Sequence, residues 1–222
     1  MNTTDFAEFP KIPRLSREAI VTEKIDGSNA QISIVPLTTA DWGRDFSGAV
    51  HLDPVDAPEA VAIYAGSRTR WVQPGKTTDN YGFAAWVQEN AGQLKMLGPG
   101  RHFGEWYGCG INRAYGLDHR RFALFNTSRW QPIELGEKTG AGVVDTERGI
   151  IVRCCHVVPL IWRSVFDTRD ADSAVEMLRS HGSFAVPGFL KPEGIVVYNV
   201  AANQTFKKLL ENDELPKGLT KS

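Results

Sequence analysis

The chain has 222 residues, 42% of them hydrophobic and 23% charged, with a formal net charge of -1. This is ordinary globular usage, which excludes a disordered tail, a collagen-like chain and a coiled coil. Near neutrality disfavours nucleic-acid binding by bulk positive charge alone but allows a local basic groove, and no apolar run approaches the roughly 20 residues that span a bilayer.

The opening stretch MNTTDFAEFPKIPRL has neither an apolar core nor a small-residue cleavage site. No secretory signal is expected there, and a cytoplasmic location is. Ala19–Ile25 and Ala30–Val35 are the first strand-like runs, rich in β-branched residues and separated by a turn. Pro36–Pro58 reads as loop, Ala60–Ser67 as a third strand, and Gln73–Asn80 as loop again. A helix is predicted from Asp79 or Asn80, as cap, to about Leu97. Phe83, Val87, Leu94 and Leu97 recur at helical spacing, and Gly98-Pro99 stops the run. His102–Trp106 and Phe122–Asn126 read as strands, Gln131–Gly149 as loop, and Ile150–Val158 as a long strand. A second helix is predicted from an Asp170 cap to His181, with Ala174, Val175 and Leu178 inward and Gly182 as terminator. Gly194–Asn199 and Thr205–Leu209 complete the strands. Many strands with few, irregularly placed helices predict an α+β fold with mainly antiparallel sheets, as one domain over residues 1–222. Regular βαβ alternation and a Gly-rich first turn are missing, which argues against a Rossmann fold. Cys109, Cys154 and Cys155 make a poor disulfide framework and fit a reduced compartment. Strand alternation separates Cys154, Cys155 and His156, so they are not expected to chelate one ion.

The richest chemistry lies in Val21-Thr22-Glu23-Lys24-Ile25-Asp26-Gly27-Ser28-Asn29, where a strand ends at a glycine turn. Period-2 alternation puts Lys24 and Asp26 on one face and Val21 and Ile25 on the other. Lys-x-Asp-Gly alone arises by chance in about 5% of chains of this length. Downstream, Gly66-Ser67-Arg68, Phe103-Gly104-Glu105-Trp106, Phe122-Ala123-Leu124-Phe125, Glu193-Gly194-Ile195-Val196-Val197 and Phe206-Lys207-Lys208 follow in order.

This ordered set resembles the signature motifs of the covalent nucleotidyltransferases, the ATP-dependent RNA and DNA ligases and mRNA capping enzymes, from about Val21 to Leu209. Glu23 before the lysine and Ser28-Asn29 after the glycine look most like nick-sealing RNA ligases of the phage type. The resemblance implies a ligase adenylation fold with antiparallel sheets flanking a nucleotide pocket. The residues after Leu209 are too few for an OB-fold. It also implies ATP-dependent joining of 5′-phosphate and 3′-hydroxyl RNA ends through a lysyl-AMP, with Mg²⁺ or Mn²⁺ and no membrane partner. It makes Lys24 the nucleophile and Phe125 the ring stacked on adenine. Glu105 is assigned to ribose, Glu193 to the metal, Lys207 to the α-phosphate, and Arg68 to ribose or the 5′-phosphate. The resemblance further implies that Asn29 supports end joining, makes Glu23 a candidate for adenine recognition, and sets Lys208 beside the nucleotide. Adjacent Lys207 and Lys208 must point opposite ways, and Lys207 is the choice by its position after Phe206. Asp26 is expected to orient Lys24 rather than activate it, because a nearby carboxylate favours the ammonium. DNA sealing, GTP-dependent capping and a non-catalytic end-binding module are the alternatives. Arg101, Arg113, Arg120 and Arg121, interleaved with His102, Trp106, Tyr107 and Tyr115, offer one candidate basic-aromatic patch.

Overall fold

The computed structural model describes residue 6 and residues 8–12, 14–134 and 141–214. The strands are β1 (Glu18–Lys24), β2 (Ser28–Pro36), β3 (His51–Leu52), β4 (Val61–Ser67) and β5 (Trp71–Val72). Helices α1 (Phe83–Glu89) and α2 (Ala91–Leu94) follow, then β6 (Gly100–Gly108), β7 (Arg120–Leu124), β8 (Gln131–Glu134), β9 (Ala141–Asp145), β10 (Ile150–Val152), β11 (Cys155–Val157) and β12 (Leu160–Val165). Helix α3 (Thr168–His181), β13 (Gly194–Asn199) and β14 (Gln204–Leu209) end the described chain.

Two sheets define the architecture. The smaller has the order β12-β1-β13-β14, and all its pairs are antiparallel. The larger runs β11-β7-β6-β2-β4-β3, with β5 on β4, and only its β11–β7 pair is parallel. A third sheet, β10-β9-β8, adjoins them. This is the α+β, mainly antiparallel fold that the strand-rich pattern predicts.

Each large sheet has one apolar and one functional face, as alternation along a half-covered sheet requires. Ala30, Ile32 and Ile34 of β2 join Phe83, Val87, Leu94 and Leu97 in the principal core. Ala19 and Val21 of β1 and Ile195 and Val197 of β13 pack with Ala174, Val175 and Leu178 of α3 in a second core. The two opposite faces are turned toward a shared cavity. Among the described residues, no helix is long and apolar enough to cross a membrane.

Several boundaries differ from expectation for local reasons. The first helix is interrupted at Asn90 (φ -102°, ψ 11°), whose side-chain amide donates to the Trp86 carbonyl at 2.8 Å. That bond competes with helix continuation. The four apolar positions are nonetheless all buried, and the run ends in a 3-10 turn at Lys95–Leu97. The helix begins at Phe83 with Gly82 as its N-cap, later than the expected Asp79 or Asn80, but the Asp79 carboxylate still satisfies first-turn amides, accepting from Ala84 N at 2.8 Å and Ala85 N at 3.1 Å. Asp79→Ala should lower stability by about 1 kcal/mol, read as a lower urea midpoint at unchanged slope. The second helix starts two residues before the predicted cap. Asp167 caps it by accepting from Arg169 N at 2.9 Å, while Asp170 lies in the first turn and accepts from Ser164.

The stretch Gln131–Gly149, expected as loop, contains β8 and β9. Its Gln, Pro, Glu and Gly residues read as turn formers, and residues 135–140 lie outside the described chain. The single strand expected at Ile150–Val158 is two, β10 and β11, divided by a turn at Arg153-Cys154.

Candidate active site

Lys24 is the last residue of β1 and pairs across the sheet with Gly194 of β13. In an antiparallel ladder, directly paired residues share a face. Ile20↔Tyr198, Thr22↔Val196 and Lys24↔Gly194 therefore lie on one side, and β14 adds Thr205 and Lys207 through Tyr198↔Thr205 and Val196↔Lys207. All but Lys207 and Gly194 line a cavity of about 870 Å³. The larger sheet supplies the facing wall, where Asn29 pairs with Glu105 and Phe103 and Arg101 follow along β6. Phe125, just past β7, and Arg68, just past β4, also line it. A cavity of this size, apolar in part and carrying a few placed polar groups, suits a nucleotide-sized ligand.

The Lys24 Nζ forms an ion pair with a carboxylate oxygen of Glu193, the residue immediately before β13. The side chains are 25% and 17% exposed, so the pair is largely withdrawn from water. Glu105 accepts a hydrogen bond from Gly27 N at 3.1 Å. Burial pushes the Glu105 carboxyl up to about 7, Lys24 pulls against that rise, and Glu193 and Asp26 add to it. Glu105 thus feels one lysine and two further carboxyl groups. Gly27 lets the turn lie against β6, since a Cβ there would sit 2.5 Å from the Trp106 carbonyl oxygen and 2.8 Å from Tyr107 Cβ.

Asp26 departs from simple alternation because β1 ends at Lys24. It turns toward the β6–β7 loop, accepting from Asn112 Nδ2 at 2.8 Å and Arg113 Nε at 3.1 Å. Glu23 points to the α3 side, 1% exposed. One of its oxygens accepts from Ser183 Oγ at 2.6 Å, the other from Phe184 N at 2.8 Å and Ala185 N at 2.9 Å. With both oxygens engaged, its carboxylate ties down the loop after α3, while the residue also lines the cavity. Burial raises its pKa, and these three bonds oppose the rise.

The lysine pair of β14 resolves by alternation. Lys207 shares the cavity face with Val196, while Lys208 pairs with Ile195 and forms an ion pair with Asp172 of α3. Lys208 is therefore placed away from the nucleotide side expected for it. Arg68 lines the cavity, whereas Arg70 donates to the Thr78 carbonyl at 3.0 Å. The basic-aromatic patch does not assemble, because Trp106, Tyr107 and Tyr115 are at most 2% exposed and serve the core. Sequence reasoning missed the contacts of Asn112, Arg113 and Tyr115 with the lysine turn. Their only trace is a Gly-rich interval between two strands.

Among the described residues, no group of three or more His, Cys, Asp and Glu side chains is arranged to hold a metal. Glu193 offers a single carboxylate. That fits Mg²⁺, which keeps several waters and is usually bound through one or two carboxylates plus substrate phosphates.

Two mainly antiparallel sheets thus flank one cavity, with a strand-end lysine and a second lysine on the same sheet face. Residues 17–210 match the RNA ligase family, and the chain belongs to that family. Solved structures similar to it include mutants of Naegleria gruberi RNA ligase. One with ATP and Mn has 15% identity and a TM-score of 0.48, covering 89% of this chain and 51% of that one. Another, with AMP and Mn, has 15% identity and a TM-score of 0.47, covering 88% and 50%. The chain spans about half the length of these structures. No curated protein matches the chain.

Proposed function

We propose that the chain is an ATP-dependent RNA ligase that works through AMP carried covalently on Lys24. The observation that carries this reading is Lys24 itself, ending β1 at the cavity wall and paired with Glu193. The neutral amine of Lys24 attacks the α-phosphorus of ATP. The N–P bond forms as the bond to the bridging oxygen breaks. Pyrophosphate leaves with that electron pair, and the surplus proton on nitrogen passes to solvent. An oxygen of an RNA 5′-phosphate then attacks the same phosphorus, and lysine leaves and regains a proton. Finally a 3′-hydroxyl attacks the activated 5′-phosphorus and loses its proton to solvent, AMP departs with the electron pair of the broken P–O bond, and the strand is sealed.

Lys24 enters this sequence only as the free amine, which for an ordinary lysine costs about 4–5 kcal/mol at pH 7. Its ion pair with Glu193 therefore opens before attack. Mg²⁺ or Mn²⁺ held by Glu193 would supply positive charge at the phosphate oxygens. Lys207 would hold the α-phosphate, Arg68 the ribose or the 5′-phosphate, Glu105 the ribose and Phe125 the adenine face. Phe125 lines the cavity and is 40% exposed, so its ring is open to a ligand there, which supports a stacking role. Asn29, beside Glu105, would act in end joining, with Asp26 setting the turn.

The reading is tested by intact mass after incubation with ATP or GTP and a divalent ion. A gain of one AMP is expected. A GMP adduct would place the chain with capping enzymes, and no adduct, on enzyme free of AMP at the outset, would favour an end-binding module. Lys207→Ala is expected to slow adduct formation by about tenfold or more, as loss of a charge at a developing phosphoryl anion does. Lys208→Ala should leave that rate unchanged.

A further inference from the structure

The loop between β6 and β7 is under backbone strain. Ala114 and Tyr115 have φ values of 55° and 53°, a left-handed region that such residues rarely occupy, and Asn112, a residue type that tolerates it, has a φ of 42°. Such strain persists only where surrounding structure fixes it, and it gathers at functional sites. Here the fixing contacts converge on the turn that carries Lys24. Asn112 Nδ2 donates at 2.8 Å to both the Asp26 carboxylate and the Gly27 carbonyl. Arg113 Nε donates to the other Asp26 oxygen at 3.1 Å. The Tyr115 hydroxyl accepts from Asp26 N at 2.9 Å.

The same loop also holds the segment that delivers Glu193. Arg113 Nη1 donates to the Lys191 carbonyl at 2.9 Å, two residues before Glu193. The Tyr115 ring packs on Phe189 with centroids 4.5 Å apart. Ile25, Tyr107 and Tyr115 form a small core between these parts, with Val186 and Phe189 packed against it. Arg113 and Tyr115 thus each touch both the lysine turn and the Glu193 segment, which are about 170 residues apart in sequence.

We propose that this strained loop sets the separation of Lys24 and Glu193, with Arg113 as its principal positioning residue for adenylation. The inference rests on the ligase reading above. Arg113 touches neither of the two reacting groups. It acts through Asp26 on one side and the Lys191 carbonyl on the other, and its planar fork supplies the two donors needed at once. Lysine at this position keeps the charge but cannot span both acceptors. A displacement of the nucleophile by about 1 Å can cost on the order of 100-fold in rate.

The test is the single-turnover rate of adduct formation across pH, with ATP and Mg²⁺, for wild type, Arg113→Ala, Arg113→Lys, Asp26→Asn and the double variant Arg113→Ala/Asp26→Asn. Arg113→Ala is expected to slow the rate at saturating ATP by about 10- to 100-fold, with the KM for ATP little changed and the pH profile displaced. Arg113→Lys is expected to recover only part of the loss. The double variant should lose little beyond the worse single, because both changes cut one linkage. Tyr115→Phe removes only the hydroxyl that receives the Asp26 amide, so it tests the same linkage should the arginine variants fold poorly. It should slow the rate while leaving the melting transition cooperative. Wild-type rate in folded Arg113→Ala and Tyr115→Phe would overturn the inference. So would additive losses with an unmoved pH profile. Failure of wild-type protein itself to form an adduct would instead overturn the ligase reading.

Discussion

Lys24→Arg is expected to carry no AMP after incubation with ATP, with a loss on the order of 10³-fold or more, as expected when a covalent nucleophile is removed. Arginine is the informative replacement, because the guanidinium keeps a positive charge opposite Glu193 and is not deprotonated near neutral pH. Lys24→Ala should be equally inactive but should also disturb the site's charge balance. Removing the ammonium leaves Glu193, 17% exposed, without its partner. It also removes the chief electrostatic influence holding Glu105 down, so the Glu105 carboxyl should rise beyond about 7. Intact mass reads the adduct, and urea unfolding at pH 7 reads the charge balance. Full adduct on Lys24→Arg would show that another residue carries AMP. Equal stability of the two variants would show that the ion pair adds little in the absence of nucleotide.

The parts of this site that alternation controls were legible in the sequence. Lys24 toward the cavity and Lys207 set against Lys208 follow from period 2 once the strands are assigned, and β13 runs over the predicted residues, Gly194–Asn199. The faces of both helices were legible too, because Phe83, Val87, Ala174 and Leu178 mark them by spacing. What escaped were the contacts made across the chain. Glu23 sits in the richest motif, yet its partners Ser183, Phe184 and Ala185 lie about 160 residues away and donate partly through backbone amides that any residue carries. Asp26 was grouped with Lys24 by alternation, but the strand stops at Lys24, and the partners of Asp26 come from a loop whose left-handed residues leave no periodic trace. The aromatic residues near the arginines looked like a nucleic-acid surface because burial is not visible in a local cluster. Trp106 and Tyr107 are held inward by the sheet and by packing on Phe83 and Tyr115.

Glu105→Gln should make the nucleotide-free protein more stable at pH 8 and less able to use ATP. Burial raises the Glu105 carboxyl from 4.5 to about 7. For a group whose folded pKa is raised, the favourable contribution is fully present below about pH 4.5 and is lost as pH rises through about 7. Above that pH the folded protein holds a poorly solvated charge that the unfolded chain solvates freely. The shift corresponds to about 3 kcal/mol at most. Glutamine keeps a carbonyl oxygen to receive Gly27 N and carries no charge at any pH, so the variant should escape the penalty. Urea unfolding at pH 4.5 and pH 8 should therefore give curves that diverge, with Glu105→Gln gaining up to about 3 kcal/mol over wild type at the higher pH. Parallel stability profiles would show that Glu105 is adequately solvated in the folded state. The same substitution removes a negative acceptor from the position assigned to the ribose hydroxyls, so the KM for ATP should rise most at pH 8, where wild-type Glu105 is ionised. A carboxylate kept beside the proposed nucleophile at a cost in stability would fit the trade of stability against activity expected when polar groups are held ready for a ligand, and measuring both quantities on one variant tests that link.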